Sequence, residues 1–297
     1  MKVLSLFDGM SCGQIALERA GIKVDKYFAS EIKKHAIKCT KTNYPNTIHI
    51  GDVTKVKYEN GILKTEFGEF ETEIDLIIGG SPCQDFSQLK IGGKGLEGEK
   101  SRLFYEFLRL LKEIKPKWFL LENVKMKEES KKQLDNYLKV EGVYINSIDF
   151  SYALRPRYYW TNIEILSYTP KQIDFQDYKG KFDEDYDNYK VKKTPSRERM
   201  WSEGKGRIGR GACANITDSS FIYCLTRKQD RCPNSGLIEY GDFCRFLSRR
   251  ELEQAQTVPL GYTDCISYNQ AQDLLGDGWT VDVIAHIFKG LKENKND

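Results

Sequence analysis

The first half of the chain alternates short runs of apolar and β-branched residues with segments of helical periodicity. Strands are predicted at residues 3–7, 26–30, 48–53, 75–78 and 118–121. Helices are predicted near residues 13–20, 32–42 and 102–114. Strands and helices that alternate in this way form a parallel sheet with helices packed on its faces. We therefore predict an α/β fold with a doubly wound, mostly parallel sheet.

The rest of the chain is less regular. An Asn-Gly pair at residues 60–61 predicts a hairpin turn, and residues 143–150 and 158–165 predict an antiparallel pair of strands. The acidic segment 172–189 is interpreted as a surface linker, and the glycine-rich segment 204–211 as a loop. Helices return at 248–256 and 279–291. The predicted domains are an α/β domain at 1–168, a smaller loop-rich lobe at 169–244, and a C-terminal segment at 245–297 that returns to the first domain.

Charge is distributed unevenly along the chain. The net charge is only +3, yet residues 190–250 carry 14 Lys and Arg against 6 Asp and Glu. A basic concentration of this kind is typical of a surface that binds nucleic acid, although a solvated basic surface has the same composition.

The cysteines, histidines and apolar runs limit the other classes of function. The eight cysteines include no Cys-x-x-Cys pair and the three histidines are scattered, so no metal site is predicted and free thiols in a reducing compartment are expected. Apolar runs are shorter than the ~18 residues of a membrane span, and no signal-peptide pattern precedes Asp8. We expect a cytoplasmic protein without a membrane partner.

A glycine-rich segment, residues 7–13, joins the first predicted strand to the first helix. Backbone N–H groups approach ligands closely at such a junction, although glycines are also ordinary turn residues there. Glu31 and Asp52 end the next two strands and should lie at the same edge of the sheet. Their carboxylates suit ribose hydroxyls and an adenine amino group, or else a helix N-cap and a turn. Together these groups favour an adenosine-bearing cofactor.

Cys83 follows a buried strand and a Gly79-Gly80-Ser81-Pro82 turn. A cysteine at this edge of the sheet can be a nucleophile, provided that the site stabilises its thiolate, whereas most free cysteines are small buried apolar side chains. Glu122 ends the next strand, where it supplies an acid near Cys83 or caps the following helix.

Five motifs occur in the order and approximate spacing of the DNA cytosine-5 methyltransferase family, which the chain resembles over nearly its whole length. They are Phe7-x-Gly9, Pro82-Cys83, Glu122-Asn123-Val124, Arg155-Pro156-Arg157 and residues 245–251. Residues 4–9, 262–264 and 274–279 look most like the branch that contains the animal de novo enzymes. The resemblance implies the S-adenosylmethionine-dependent methyltransferase fold, with the loop-rich lobe as a target-recognition region.

The resemblance also implies how the chain would act on cytosine. Cys83 would add to carbon 6 of a flipped-out base in duplex DNA, so that carbon 5 can accept a methyl group. Glu122 would hold and protonate ring nitrogen 3. Of Arg155 and Arg157, one would contact the cytosine carbonyl oxygen and the other would orient Glu122 or bind phosphate.

The expected cofactor is S-adenosylmethionine, with S-adenosylhomocysteine as its product. The cofactor-binding residues that the resemblance implies are Phe7, Asp8, Gly9, Ser11, Cys12, Gly13, Glu31, Ile32, Asp52, Val53, Ser81, Pro82, Asp277, Gly278 and Trp279. Many family members carry Gly-Asn-Ser-Val where this chain has Gly276-Asp277-Gly278-Trp279, a departure in the last of these groups.

Double-stranded DNA is the expected partner. The predicted DNA-binding residues are Gln84, Ser87, Leu89, Arg227 and Lys228, with Leu89 filling the space that the flipped base leaves. A homodimer and a restriction-enzyme counterpart are both left open. Two alternatives remain. A tRNA cytosine-5 methyltransferase typically carries a Cys-Phe-Thr triplet that is absent here, and an inactive DNA-binding relative commonly lacks the nucleophile or the acid.

Overall fold

The computed structural model describes residues 1–80, 102–195, 197–198, 214–227, 229 and 235–293. By its contacts the chain divides into two units. The first comprises residues 1–145, 156–167 and 283–297, and the second comprises residues 146–155 and 168–282. The three-part domain division expected from the sequence stays a prediction.

The first unit is built on a seven-stranded sheet. Its strands are β1 (Lys2–Leu6), β2 (Lys26–Ser30), β3 (Ile48–His49), β7 (Leu76–Gly80), β8 (Trp118–Val124), β9 (Val143–Asn146) and β10 (Pro156–Thr161). Their order across the sheet is β3-β2-β1-β7-β8-β10-β9. The pairs β2–β3, β1–β2, β1–β7 and β7–β8 are parallel, and β10 runs antiparallel to β8. The predicted doubly wound, mostly parallel sheet is therefore confirmed.

Four helices of this unit are α1 (Cys12–Arg19), α2 (Lys34–Asn43), α3 (Arg102–Ile114) and α4 (Glu128–Leu138). Helix α3 shows why the spacing of apolar residues predicted a helix at this position. Its apolar residues Phe104, Phe107 and Leu108 recur at helical spacing and are buried in the main core. On its polar side Arg109 pairs with Glu106 and Glu113.

A small antiparallel sheet follows β3. It consists of β4 (Lys57–Glu59), β5 (Ile62–Thr65) and β6 (Gly68–Glu71). The predicted hairpin turn is confirmed, because Asn60 and Gly61 both adopt positive φ, at 51° and 80°. The prediction that the third strand runs over residues 48–53 is wrong. Gly51 turns the chain at φ 78°, and Asp52 then caps a short 3-10 helix at Val53–Lys55.

The second unit contains the sheet β11-β13-β12 (Lys190–Val191, Phe243–Arg245 and Ile238–Tyr240) and the helices α5 (Arg249–Ala255) and α6 (Tyr268–Asp277). Helix α7 (Val281–Glu293) continues into the first unit from residue 283. Ser248 and Ser267 start α5 and α6 with capping boxes. The interpretation of residues 172–189 as a surface linker is wrong in part, since Phe175 is fully buried against Tyr152, with ring centroids 5.1 Å apart.

A substitution at Gly290 tests how closely α7 packs in the first unit. Replacing a helical glycine by alanine ordinarily stabilises a helix by about 1 kcal/mol. A Cβ at Gly290 would instead collide with the backbone carbonyl of Glu164. We predict that Gly290→Ala lowers the free energy of unfolding by about 1–3 kcal/mol in chemical denaturation.

The exposed neighbour Lys289 is the matched control. Lys289→Ala should change the free energy of unfolding by less than about 0.5 kcal/mol. Stabilisation by Gly290→Ala would show that α7 is not packed closely on Glu164.

Candidate active site

The loop after β1 is held in an unusual backbone conformation. Phe7, Gly9 and Ser11 have φ values of 59°, 61° and 62°. The left-handed region is costly for residues with a Cβ, by about 1–2 kcal/mol each, and such strain is characteristic of functional loops. The Asp8 N–H donates to the Ser30 carbonyl at 3.0 Å, and the Ser11 N–H donates to the Asp8 carbonyl at 3.1 Å. These bonds fix the loop against the end of β2.

The carboxylate of Asp8 lies within this loop. Its Oδ1 accepts a hydrogen bond from the Tyr27 hydroxyl at 2.7 Å, and its Oδ2 accepts from the Ser11 hydroxyl. Burial raises the pKa of Asp8 to about 6, although hydrogen bonds from Ser11, Ser5 and Tyr27 oppose the rise. The negative charge of Glu31 adds to it. Asp8 is therefore a carboxylate whose charge is costly to maintain in the folded protein.

Glu31 links the loop after β1 to the end of β2. Its Oε2 accepts from the Gly9 N–H at 2.8 Å, and its Oε1 accepts from the N–H groups of Ile32 and Lys33, also at 2.8 Å. The expectation that Glu31 lies beside the glycine loop is therefore confirmed. Glu31 is not the N-cap of α2, because that position is Lys33.

The donor and acceptor groups at this edge suit an adenosine-bearing cofactor. A Cβ placed on Gly9 would meet no atom of the described residues within 4 Å, which leaves room for a ligand beside this backbone. The Oδ1 of Asp52 accepts both bonds from Thr54, and among the described residues no hydrogen bond reaches its Oδ2. Each carboxylate oxygen can accept two hydrogen bonds, so Glu31 and Asp52 keep capacity for hydroxyl and amino donors. The adjacent Ile32 is 69% exposed and can cover an apolar ring face.

A buried carboxylate and a guanidinium meet on β8 and β10, the second and third strands from β1. Glu122 lies opposite Gly80 on β7 and opposite Tyr159 on β10. Its Oε1 lies 2.7 Å from the Nε of Arg157, and both side chains are 10% exposed. The Nη1 of Arg157 also donates to the Pro156 carbonyl at 2.9 Å. The guanidinium thus fixes the orientation of the Glu122 carboxylate.

Arg155 belongs to the second unit and has different partners. Its side chain is 3% exposed. Nη1 donates to the Gly276 carbonyl at 3.2 Å, and Nη2 donates to the Gly278 carbonyl at 2.7 Å. We call residues 275–278 the C-terminal turn. The two arginines of the Arg-Pro-Arg motif therefore contact different parts of the chain.

Two predicted ligand-binding residues are paired with each other. The Nε of Arg227, expected to contact DNA, donates to both carboxylate oxygens of Asp277, expected to contact the cofactor, at 3.0 Å each. Arg227 also lies 3.2 Å from Asp273. The roles predicted for Arg227, Asp277, Gly278 and Trp279 stay predictions.

Several predicted residues lie outside the described part of the chain. They are Ser81, Pro82, Cys83, Gln84, Ser87, Leu89 and Lys228, together with the predicted loop 204–211. Within the described ranges, no cluster of three or more His, Cys, Asp or Glu could hold a metal ion. No helix found there is long and apolar enough to cross a membrane.

Sequence reasoning missed two residues that shape these sites. Tyr27 binds Asp8, yet a tyrosine in a strand is usually explained by packing and gives no signal of this role. Gln256 donates to the carbonyls of Leu275 and Gly278 at 2.6 and 3.3 Å. It is the last residue of the helix predicted at 248–256, where nothing in the pattern singles it out.

The open sheet and the groups at its edge define a chain with the S-adenosylmethionine-dependent methyltransferase fold. The crystal structure of the S. pombe Dnmt2 methyltransferase matches it with a TM-score of 0.72 at 17% identity, over 100% of this chain and 99% of that one. A model of the C-5 cytosine-specific DNA methylase family matches residues 1–156. The chain therefore belongs to the C-5 cytosine-specific DNA methylase family, as its motifs predict.

Relatives of known type are similar over a shorter region. The orphan methyltransferase M.SPRI of Bacillus phage SPR is 38% identical over 129 residues, which cover 42% of this chain and 26% of the relative. The type II methyltransferase M.NgoPII of Neisseria gonorrhoeae is 38% identical over 125 residues, which cover 42% of this chain and 33% of the relative. The chain thus spans a quarter to a third of the length of these curated relatives in the match.

The raised pKa of Asp8 predicts a pH-dependent stability. Because the pKa is about 6 in the folded protein and 3.8 in the reference state, protonation favours folding. That contribution is fully present below the unfolded pKa and is lost as the pH rises through about 6. The gain in stability of Asp8→Asn over wild type should therefore be larger at about pH 7.5 than at about pH 5, measured by urea denaturation.

Asp135 provides the control. Burial opposes the shift, but hydrogen bonds from Lys131, Gly142 and Trp160 lower the pKa of Asp135. Asp135 therefore titrates below this pH range. The difference in the free energy of unfolding between Asp135→Asn and wild type should stay nearly constant across the range. If the difference in the free energy of unfolding between Asp8→Asn and wild type did not change with pH, the raised pKa of Asp8 and the burial that causes it would be contradicted.

The Glu122–Arg157 pair predicts a large coupling energy. Arg157→Met should destabilise the protein by about 3 kcal/mol or more, because Glu122 loses its buried ion-pair partner. In the Glu122→Gln and Arg157→Met double-mutant cycle, we expect a coupling above about 1 kcal/mol. The exposed pair Lys64–Glu59 should give less than about 1 kcal/mol in the same assay. Equal couplings would show that the buried pair is not formed.

Proposed function

We propose that this protein transfers a methyl group from S-adenosylmethionine to carbon 5 of cytosine in duplex DNA. The observation that carries the proposal is the buried Glu122–Arg157 pair, which lies on the strand beside Gly80. From Gly80 the chain continues into Ser81-Pro82-Cys83. Membership of the cytosine-5 DNA methylase family supports this assignment.

Carbon 5 of cytosine is too weak a nucleophile to accept a methyl group directly, so the ring must first be activated by addition at carbon 6. We assign this addition to the thiolate of Cys83. Cys83 lies outside the described residues, but it is only three positions after Gly80 in the sequence. An extended chain of that length spans at most about 11 Å. Connectivity therefore keeps the nucleophile near the strand that pairs with Glu122.

Glu122 acts on the other side of the ring in this mechanism. In its protonated form it donates a proton to ring nitrogen 3, which neutralises the negative charge that develops as the thiolate attacks, and it thereby becomes the carboxylate that pairs with Arg157. Arg157 orients the acid through its Nε and brings a guanidinium to the same place, where the cytosine carbonyl oxygen can accept a hydrogen bond. After methylation, loss of the carbon-5 proton and expulsion of Cys83 restore the aromatic ring.

The loop after β1 and the carboxylates beside it would hold the cofactor. Glu31 would accept from the ribose hydroxyls, and Asp52 from the adenine amino group, with Val53 next to it. Phe7, Asp8 and Gly9 would line the remainder of the pocket. The cofactor supplies a methyl group on a sulfonium sulfur, an electrophile that needs no metal ion.

Duplex DNA would be bound with the target base flipped out, at a cost of a few kcal/mol in lost stacking. Gln84, Ser87 and Leu89 follow the nucleophile and would contact the opened duplex, while Arg227 and Lys228 would bind phosphate or guanine edges. The phage and bacterial relatives support a role in DNA modification in the cytoplasm of a bacterial or phage-infected cell, with or without a restriction enzyme.

A methyl-transfer assay tests the proposal. We predict transfer of labelled methyl groups from S-adenosylmethionine to mixed-sequence duplex DNA, and at least a ~10³-fold loss of activity in Cys83→Ala. Cys265→Ala should retain wild-type activity, because Cys265 has no part in the mechanism. Transfer to tRNA but not to DNA would overturn the substrate assignment, and absence of transfer to either would favour an inactive DNA-binding protein.

A further inference from the structure

Two buried side chains hold the backbone of the C-terminal turn. Arg155 donates to the carbonyls of Gly276 and Gly278, and Gln256 donates to those of Leu275 and Gly278. Arg155 is 3% exposed and Gln256 is fully buried. The last carbonyls of a helix have no partner within the helix and usually bond to water or to a glycine cap. At the end of α6, these carbonyls are bound by side chains that are distant in sequence.

The backbone of Arg155 and the side chain of Gln256 are themselves held by hydrogen bonds. The Arg155 N–H donates to Asn146 Oδ1 at 3.0 Å, and its carbonyl accepts from the Ser147 N–H at 3.2 Å. The Oε1 of Gln256 accepts from the Thr280 hydroxyl at 2.6 Å. Arg155 and Gln256 therefore form a rigid clamp rather than two mobile contacts.

The backbone of the turn has little room to move. A Cβ on Gly276 would lie 2.7 Å from the carbonyl carbon of Thr226 and 2.8 Å from the backbone nitrogen of Arg227. Only glycine allows such a close approach of two backbones. The clamp thus presses the turn onto residues 226–227.

This geometry is not arranged for stability alone. The Nε of Arg155 is buried and finds no hydrogen-bond partner within the described part of the chain. A buried donor without a partner is unfavourable, and native proteins tolerate few of them. The two Nη groups of Arg155 instead donate to the carbonyls of Gly276, Gly278 and Leu225, an arrangement that favours a functional role for the position of the turn.

We propose that Arg155 and Gln256 are positioning residues for cofactor binding, acting by holding Asp277-Gly278-Trp279 in place. The proposal rests on the proposed function and on the family resemblance, which implies that these three residues bind the cofactor. The proposal also gives the two arginines of the Arg-Pro-Arg motif different roles. Arg157 acts on the acid and hence on the chemical step, whereas Arg155 acts on the cofactor turn.

Calorimetric titration with S-adenosylhomocysteine tests the clamp without relying on turnover. We expect Arg155→Met and Gln256→Met to weaken binding by about tenfold each. Both should raise the KM for S-adenosylmethionine while leaving kcat and the KM for DNA within about twofold of wild type. Arg157→Met should instead lower kcat. Arg155→Lys keeps the charge but offers a single donor group, so its affinity for S-adenosylhomocysteine should lie between those of wild type and Arg155→Met. It replaces the methionine variant in this test if that variant does not fold.

Gln176 provides a matched control. Its Nε2 donates to the carbonyls of Thr217 and Ser219 at 3.2 and 2.7 Å, the same two-carbonyl pattern in the same unit. Gln176→Met should bind S-adenosylhomocysteine as wild type does.

The outcomes separate the two proposals. Wild-type affinity in Arg155→Met, Arg155→Lys and Gln256→Met, in a protein that methylates DNA, would overturn the clamp and leave the proposed function standing. Equal weakening in Gln176→Met would also overturn it, as a general loss of packing. A wild-type protein that neither binds S-adenosylhomocysteine nor methylates DNA would overturn both.

Discussion

The pairing of β7 with β8 is the constraint on which the catalytic proposal depends. Parallel hydrogen bonding places Gly80 opposite Glu122, and Cys83 lies three positions after Gly80 in the sequence. The antiparallel pairing of β10 with β8 brings Tyr159 opposite Glu122 from the other side, and Arg157 follows on the same strand. The register of three strands thus brings Gly80, Glu122 and Arg157 together. Any slip of this register would separate them.

A second group of polar residues occupies the same edge of the sheet, one strand further along. Asp8, Glu31 and Gly9 are linked by direct hydrogen bonds or by charge, and the loop that carries them keeps left-handed residues that ordinary turns avoid. The carboxyl edge of an open α/β sheet is where ligands bind, because several strands end there together. Strain and a buried charge at this edge are costs that the folded protein carries for binding. They are offset by the apolar core beneath, which includes Leu4, Phe28 and Ile77.

Much of the fold could be predicted because the sequence pattern and the local structure agree. The predicted strand at residues 26–30 and the predicted helix at 102–114 coincide with β2 and α3, whose apolar residues recur at the spacing that each element requires. Helix α4 was missed because only Leu134 and Leu138 are buried on it, which is too short an apolar pattern to detect. Strand β3 was overextended because an apolar run does not reveal a positive φ at Gly51.

The hydrogen-bond and ion-pair partners of the candidate site residues could not be predicted from the sequence. Arg155 and Arg157 are two residues apart with a proline between them, so their spacing gives no sign that they contact different parts of the chain. Their partners, Gly278 and Glu122, are fixed by tertiary structure over 123 and 35 positions of sequence respectively. The pairing of Arg227 with Asp277 is likewise a tertiary contact between residues 50 positions apart.

Covalent trapping tests the central claim, that Cys83 attacks a cytosine held by Glu122, most directly. Duplex DNA with 5-fluorocytosine at the target position should form a stable adduct in the presence of S-adenosylmethionine, because fluorine at carbon 5 cannot leave as the proton does. Mass spectrometry of the digested adduct should find the modified base on the peptide that contains Cys83, and Cys83→Ala should form none. An adduct on another cysteine, or equal trapping of Cys83→Ala, would contradict the mechanism.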